Sequence, residues 1–115
     1  MIDWEQSAER INNKIRAFSS RPGAYCFWKG LRIKVLKSKV PDEFKRKEYL
    51  SGLEVNEKSV NNGYIVKADK NSGIVVKCGE GKVISIELLK PQGKRTMTAM
   101  DFINGYRLIA GENFE

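Results

Sequence analysis

Apolar positions near the start of the chain fall at Trp4, Ala8, Ile11, Ile15 and Phe18. Spacings of three and four place them along one stripe of a helix over residues 3–18. Gln6, Glu9, Arg10, Asn13 and Lys14 occupy the other side. Asp3, with Gln6 three residues on, is the candidate cap. Residues 19–23, SSRPG, end the helix, because Pro22 and Gly23 cannot continue it comfortably. From Ala24 the period changes to two. AYCFW, a turn at Lys29-Gly30 and LRIKVLKSKV read as a hairpin over 24–40, with Leu31, Ile33 and Val35 alternating against Arg32 and Lys34.

Residues 41–62 are charged and weakly patterned, a long excursion with a helical turn. Three short β-rich runs follow, GYIVKAD, GIVVKCG and KVISIELL, separated by the turn sequences KNSG and GEG. In the last run Ile84, Ile86 and Leu88 are expected on one side, Ser85 and Glu87 on the other. Thr98-x-x-Asp101 has the form of a capping box opening a helix over 98–106, with Ala99, Phe102, Ile103 and Tyr106 as its buried stripe. The order is helix, five short strands, helix. Strands joined without long crossovers cannot form a parallel sheet. The expected fold is therefore mainly β: a small OB-like five-stranded antiparallel barrel with an N-terminal helix and a short C-terminal helix, in one domain spanning residues 1–115.

Composition narrows the function. The chain has 21 basic and 14 acidic side chains, a net charge of +7, two cysteines and no histidine. Cys26 and Cys78 are too few for a zinc site, which needs about four ligands, and read better as small buried thiols. Without histidine the usual base for a serine or cysteine nucleophile is missing. The polar start of the sequence does not read as a signal peptide, and no apolar run approaches the ~20 residues of a membrane span. A soluble, cytoplasmic setting without a membrane partner is expected.

The positive charge is concentrated. Between residues 29 and 47 lie Lys29, Arg32, Lys34, Lys37, Lys39, Lys45, Arg46 and Lys47, against Asp42 and Glu43. Alternation puts Arg32 and Lys34 on one face of a strand, so the cations form a stripe suited to phosphates of a folded RNA or a single strand. A solvated edge strand guarded by lysines is the competing account. Tyr25, Phe27, Trp28, Tyr49 and Tyr64 lie nearby as possible stacking platforms. Most of them, Phe27 in particular, read better as core.

GKRT at residues 93–96 suggests a phosphate-gripping loop. That motif needs a glycine five residues before Gly93 and a Ser or Thr after the lysine. Leu88 and Arg95 stand there instead, which excludes a nucleotide hydrolase of that type. What remains is a basic turn, Lys90, Lys94 and Arg95, a second candidate patch beside the stripe.

The segments IDWEQSAERINNKIRAFSSRPGA and LLKPQGKRTMTAMDFINGY together resemble the C-terminal domain of the methionyl-tRNA formyltransferase family. Ile2-Asp3-Trp4, Ser7-Ala8, Ile15-Arg16-Ala17, the turn Pro22-Gly23-Ala24 and the stretch from Gly93 to Gly105 carry the resemblance. The turn is shorter than the family's, and residues 41–62 match nothing in it. The resemblance implies an OB-like barrel touching the phosphate backbone of initiator tRNA through Arg32, Lys34, Lys37, Lys39, Lys45, Arg46, Lys47, Lys94 and Arg95. It also implies a separate N-terminal formyltransferase domain, with Asn, His and Asp as catalytic set and 10-formyltetrahydrofolate as cofactor. None of that machinery is in this sequence. The chain is thus expected to be a non-catalytic fragment, holding no cofactor itself and serving translation initiation. The C-terminal domain of a sugar-nucleotide formyltransferase and a free-standing basic RNA-binding module are the alternatives.

Overall fold

The period-two segment folds as a hairpin, with β1 (Ala24–Trp28) antiparallel to β2 (Leu31–Lys39). Lys29 and Gly30 close it with φ of 49° and 81°, both left-handed, as a two-residue turn matching strand twist requires. The computed structural model describes residues 1–17, 23–51 and 60–115. Phe18 and residues 19–22, with the expected helix stop, lie outside the described residues, as do residues 52–59 of the excursion.

β3 (Ile65–Asp69), β4 (Gly73–Lys77), β5 (Val83–Pro91) and a short β6 (Met97–Thr98) complete the sheet. Its order is β1-β2-β5-β4-β3, with β6 beside β5 and every pairing antiparallel. The five expected strands are present and β6 adds a sixth. The sheet is open, with β1 and β3 at its ends. The C-terminal segment bonds to both ends. Phe27 and Glu115 exchange two backbone hydrogen bonds of 2.8 Å, Gly111 N–H donates to Ile65 O at 2.9 Å, and Ile65 N–H donates to Glu112 O at 2.8 Å. Backbone groups that would template aggregation at a bare edge are satisfied in this way.

α1 (Ala8–Ala17) buries Ala8, Ile11 and Ile15 against the sheet. It starts later than its apolar stripe suggests. Ser7 Oγ accepts the Arg10 N–H at 3.3 Å, whereas Asp3 caps only the preceding turn, accepting from Glu5 N–H at 3.0 Å. Trp4 is buried all the same, stacked on Phe114 at 5.9 Å. α3 (Ala99–Tyr106) begins where the sequence places it, since Thr98 Oγ1 accepts the Asp101 N–H at 3.1 Å. Phe102, fully buried, lies 5.3 Å from the Trp28 ring and 4.5 Å from the Tyr106 ring. Both cysteines are buried and free. Burial pushes the Cys78 thiol up to about 12 and the Cys26 thiol further still, so neither offers a thiolate.

Three expectations are corrected. Phe27 is not core: in β1, Ala24, Cys26 and Trp28 point inward, so Tyr25 and Phe27 face out, half-buried. In β5 it is Leu89, not Leu88, that reaches the core, because Glu87 is an extra residue in the β5 ladder to β2 and reverses the alternation after Ile86. The expected helical turn in the excursion is a full helix, α2 (Glu43–Ser51), which buries no residue. Lacking an apolar face, α2 is tied down by polar contacts, with Asp42 Oδ1 accepting Lys45 N–H at 2.8 Å. Among the described residues no helix is long and apolar enough to cross a membrane.

Candidate nucleic-acid interface

Strict alternation along β2 would send Lys37 and Lys39 to the face opposite Arg32 and Lys34. The ladder to β5 prevents this by shifting register between Val35 and Lys37, and again between Lys37 and Ser38. Lys34 lies opposite Lys90, buried Val35 opposite buried Leu89, and Lys37 opposite Leu88. Lys90 and Leu88 flank Leu89 on the outer face, so Lys37 joins Lys34 there. Ser38 then turns inward and donates to Asn12 Oδ1 of α1 at 2.7 Å, which sends Lys39 outward again. The bulge thus keeps Arg32, Lys34, Lys37 and Lys39 on one face. At ~3.3 Å per residue they span roughly 23 Å.

Strand register builds a second feature across this stripe. Tyr25 of β1, Lys34 of β2 and Lys90 of β5 stand side by side, and the Arg32 guanidinium lies over the Tyr25 ring, 4.1 Å from its centroid. The Lys34 stem passes over Gly23, where a Cβ would collide with it. The basic turn is pinned alongside. Gln92 N–H donates to Arg32 O at 2.9 Å, Lys94 N–H donates to Pro91 O at 3.0 Å, and Gly93 takes φ 79°. Tyr25, Arg32, Lys34, Lys90, Gln92 and Gly93 line a shallow groove, with exposed Lys94 and Arg95 just beyond. Lys90 of the second expected patch therefore stands in the same groove as Arg32 and Lys34 of the first.

The remaining cations are committed elsewhere. Lys45 pairs with Glu48 at 3.6 Å, Arg46 with Glu43 at 3.3 Å, and Lys47 with Glu43 at 3.9 Å. Arg46 also donates to the Gly81 carbonyl at 3.1 Å, tethering α2 to the β4–β5 turn. Asp42, Glu43 and Glu48 offset Lys45, Arg46 and Lys47 in number, so α2 adds little net field. Lys29 is 2.6 Å from Glu112 and 5.0 Å from the Trp28 ring centroid. Burial pulls the Glu112 carboxyl upward, but the Lys29 ammonium and the Ile109 N–H outweigh it and hold the carboxyl below its usual range. The Trp28 indole N–H is directed to the same carboxylate without reaching hydrogen-bonding geometry.

Among the described residues, no carboxylate pairs with Arg32, Lys37, Lys39, Lys90, Lys94 or Arg95. The outer face of β1, β2 and β5 consequently presents cations in a line, with Glu87 beside Lys39 in a neighbouring pocket as its nearby carboxylate, an arrangement that suits successive phosphates. Tyr25 and Lys90 were separate candidates in the sequence, and strand register, which no local pattern encodes, sets them beside Lys34; Gln92 and Gly93 had no such signal and join the groove through the turn after β5. The spacing of acids and bases over residues 43–48 was the legible sign that the α2 cations are paired.

A family model described as formyl transferase, C-terminal domain, matches residues 1–107. The chain belongs to that family. Among its relatives, a methionyl-tRNA formyltransferase of Dictyoglomus turgidum is 39% identical over 115 residues, covering 100% of this chain and 33% of the relative. The methionyl-tRNA formyltransferase of Carboxydothermus hydrogenoformans is also 39% identical, covering 100% of this chain and 32% of that protein. For the one from Pseudoalteromonas translucida the identity is 34%, over 99% of this chain and 33% of the relative. The chain thus spans about one third of the length of the curated relatives it matches.

Proposed function

We propose that this chain is the non-catalytic, tRNA-binding domain of a methionyl-tRNA formyltransferase. Its basic face holds the phosphate backbone of initiator tRNA in the cytoplasm, while a separate N-terminal domain carries 10-formyltetrahydrofolate and formylates the methionyl amine for translation initiation. The observation that supports this reading is the outer face where Arg32, Lys34, Lys37 and Lys39 of a bulged strand stand beside Lys90, next to the pinned turn that carries Lys94 and Arg95. The names of the relatives favour a tRNA parent over a sugar-nucleotide one. The lack of histidine removes the commonest proton carrier and agrees with chemistry done on another domain.

The test is a salt titration of tRNA binding by fluorescence anisotropy. Each phosphate contacted contributes about −0.7 to −0.9 to the log–log slope, so six contacts give a slope of about −5. Between 50 and 200 mM salt the affinity should then fall ~1000-fold. Absence of binding at low salt, or binding indifferent to salt, overturns the proposal.

A further inference from the structure

We propose that the groove between Tyr25 and Gly93 is a subsite for one unpaired nucleotide, with Lys34 and Lys90 on its phosphate and the Arg32–Tyr25 stack under its base. The inference rests on the tRNA-binding reading and sharpens it. A line of lysines grips phosphates of paired and unpaired RNA alike, because it senses charge and spacing only. The groove contains something different. Arg32 is exposed, and its guanidinium carbon lies over the Tyr25 ring 4.1 Å from the centroid, the close approach expected of a guanidinium plane seated on a ring. Among the described residues no second ring and no carboxylate contacts this guanidinium, and guanidinium planes stack on nucleobases much as aromatic rings do. A base inside a duplex has its faces covered by its neighbours, so only an unstacked base can use this platform.

The walls suit the same ligand. Lys34 and Lys90 are cross-strand neighbours beside the platform, a phosphate's reach from a base stacked on Arg32. Gly93, at φ 79°, bounds the groove without a side chain, and a Cβ there would meet nothing within 4 Å. The wall is therefore low and open to an incoming sugar-phosphate. Arg32 is held in place from both sides, since its carbonyl accepts from Gln92 and its guanidinium is seated on Tyr25. An ordered platform loses less entropy on binding than a free surface arginine does.

Arg32→Lys keeps the charge and removes the plane. Its effect is read on two probes, a labelled single-stranded hexaribonucleotide and a blunt RNA duplex, with thermal melting as the folding control. The expected result is a loss of about 5- to 10-fold on the single strand, in the range of one stacking contact, with the duplex affinity within about twofold. The salt slope on either probe should not move, because no charge is lost. Arg32→Gln should weaken both probes and flatten both slopes. Equal losses for Arg32→Lys on the two probes, or none on the single strand, overturn the subsite while leaving the tRNA reading standing. Wild-type protein that binds neither probe at low salt overturns both.

Discussion

Replacing Lys37 and Lys39 together by glutamine should damage RNA binding far more than the same double change at Lys45 and Lys47. All four are exposed or half-exposed lysines within one short stretch of sequence, so net charge alone predicts equal effects. The structure separates them. Among the described residues Lys37 and Lys39 form no ion pair, although Glu87 lines a pocket with Lys39, whereas Lys45 has Glu48 at 3.6 Å and Lys47 has Glu43 at 3.9 Å. Removing two phosphate contacts lowers the salt slope by about 1.4–1.8, and referring that loss to 1 M salt gives a drop of roughly 25- to 60-fold at 0.1 M. For the α2 pair, each neutralised lysine was already offset, and a change below about threefold is expected. Anisotropy with labelled tRNA over a salt series measures both slopes. Surface substitutions of this kind should leave stability within about 0.5 kcal/mol, and a thermal melt checks it. Equal slope changes in the two double variants would refute the distinction between free and committed cations.

Two further predictions concern what holds the face in place. Phe102→Ala opens a cavity between Trp28 and Tyr106 and should cost about 3–5 kcal/mol, seen as a fall in thermal midpoint of ~10–20 °C; a fall under ~5 °C would mean that α3 contributes little to the core. The Lys29–Glu112 contact makes stability depend on pH with a definite sign. Because the folded Glu112 carboxyl lies below its ordinary 4.5, its contribution is present above pH 4.5 and is lost as pH falls through the folded value. Glu112→Gln should therefore be less stable than wild type at neutral pH, with the gap closing below pH 4.5; a gap independent of pH over 3–7 would contradict the assignment.

Features set by neighbours in sequence were legible in advance. Thr98 capping Asp101, the Lys29-Gly30 turn, Ala8, Ile11 and Ile15 of the α1 stripe and Ala99 and Phe102 of the α3 stripe are local chemistry, and each stands where the pattern puts it, although α1 begins at Ala8 rather than at residue 3. Features set by pairing between distant strands were not. Neither Leu36 nor Glu87 is marked as a bulge residue in the sequence, yet the first turns Lys37 and Lys39 outward with Lys34, and the second makes Leu89, not Leu88, core. Phe27 looked like core because it is large and apolar, but its place between inward-facing Cys26 and Trp28 turns it out. The α2 helix hides for another reason: a segment with no apolar face offers no periodicity to read, only charge spacing and the Asp42 cap.

The central claim is that tRNA meets one face of this domain, the outer side of β1, β2 and β5 with the 92–95 turn. Its most direct test is an amide chemical-shift titration of the 15N-labelled chain with tRNA at low salt. The account predicts shifts concentrated at Tyr25, residues 32–39 and residues 90–95, with α2 and the turn at 79–81 nearly silent. Perturbations centred on α2 instead, or spread evenly over all exposed lysines, would contradict it.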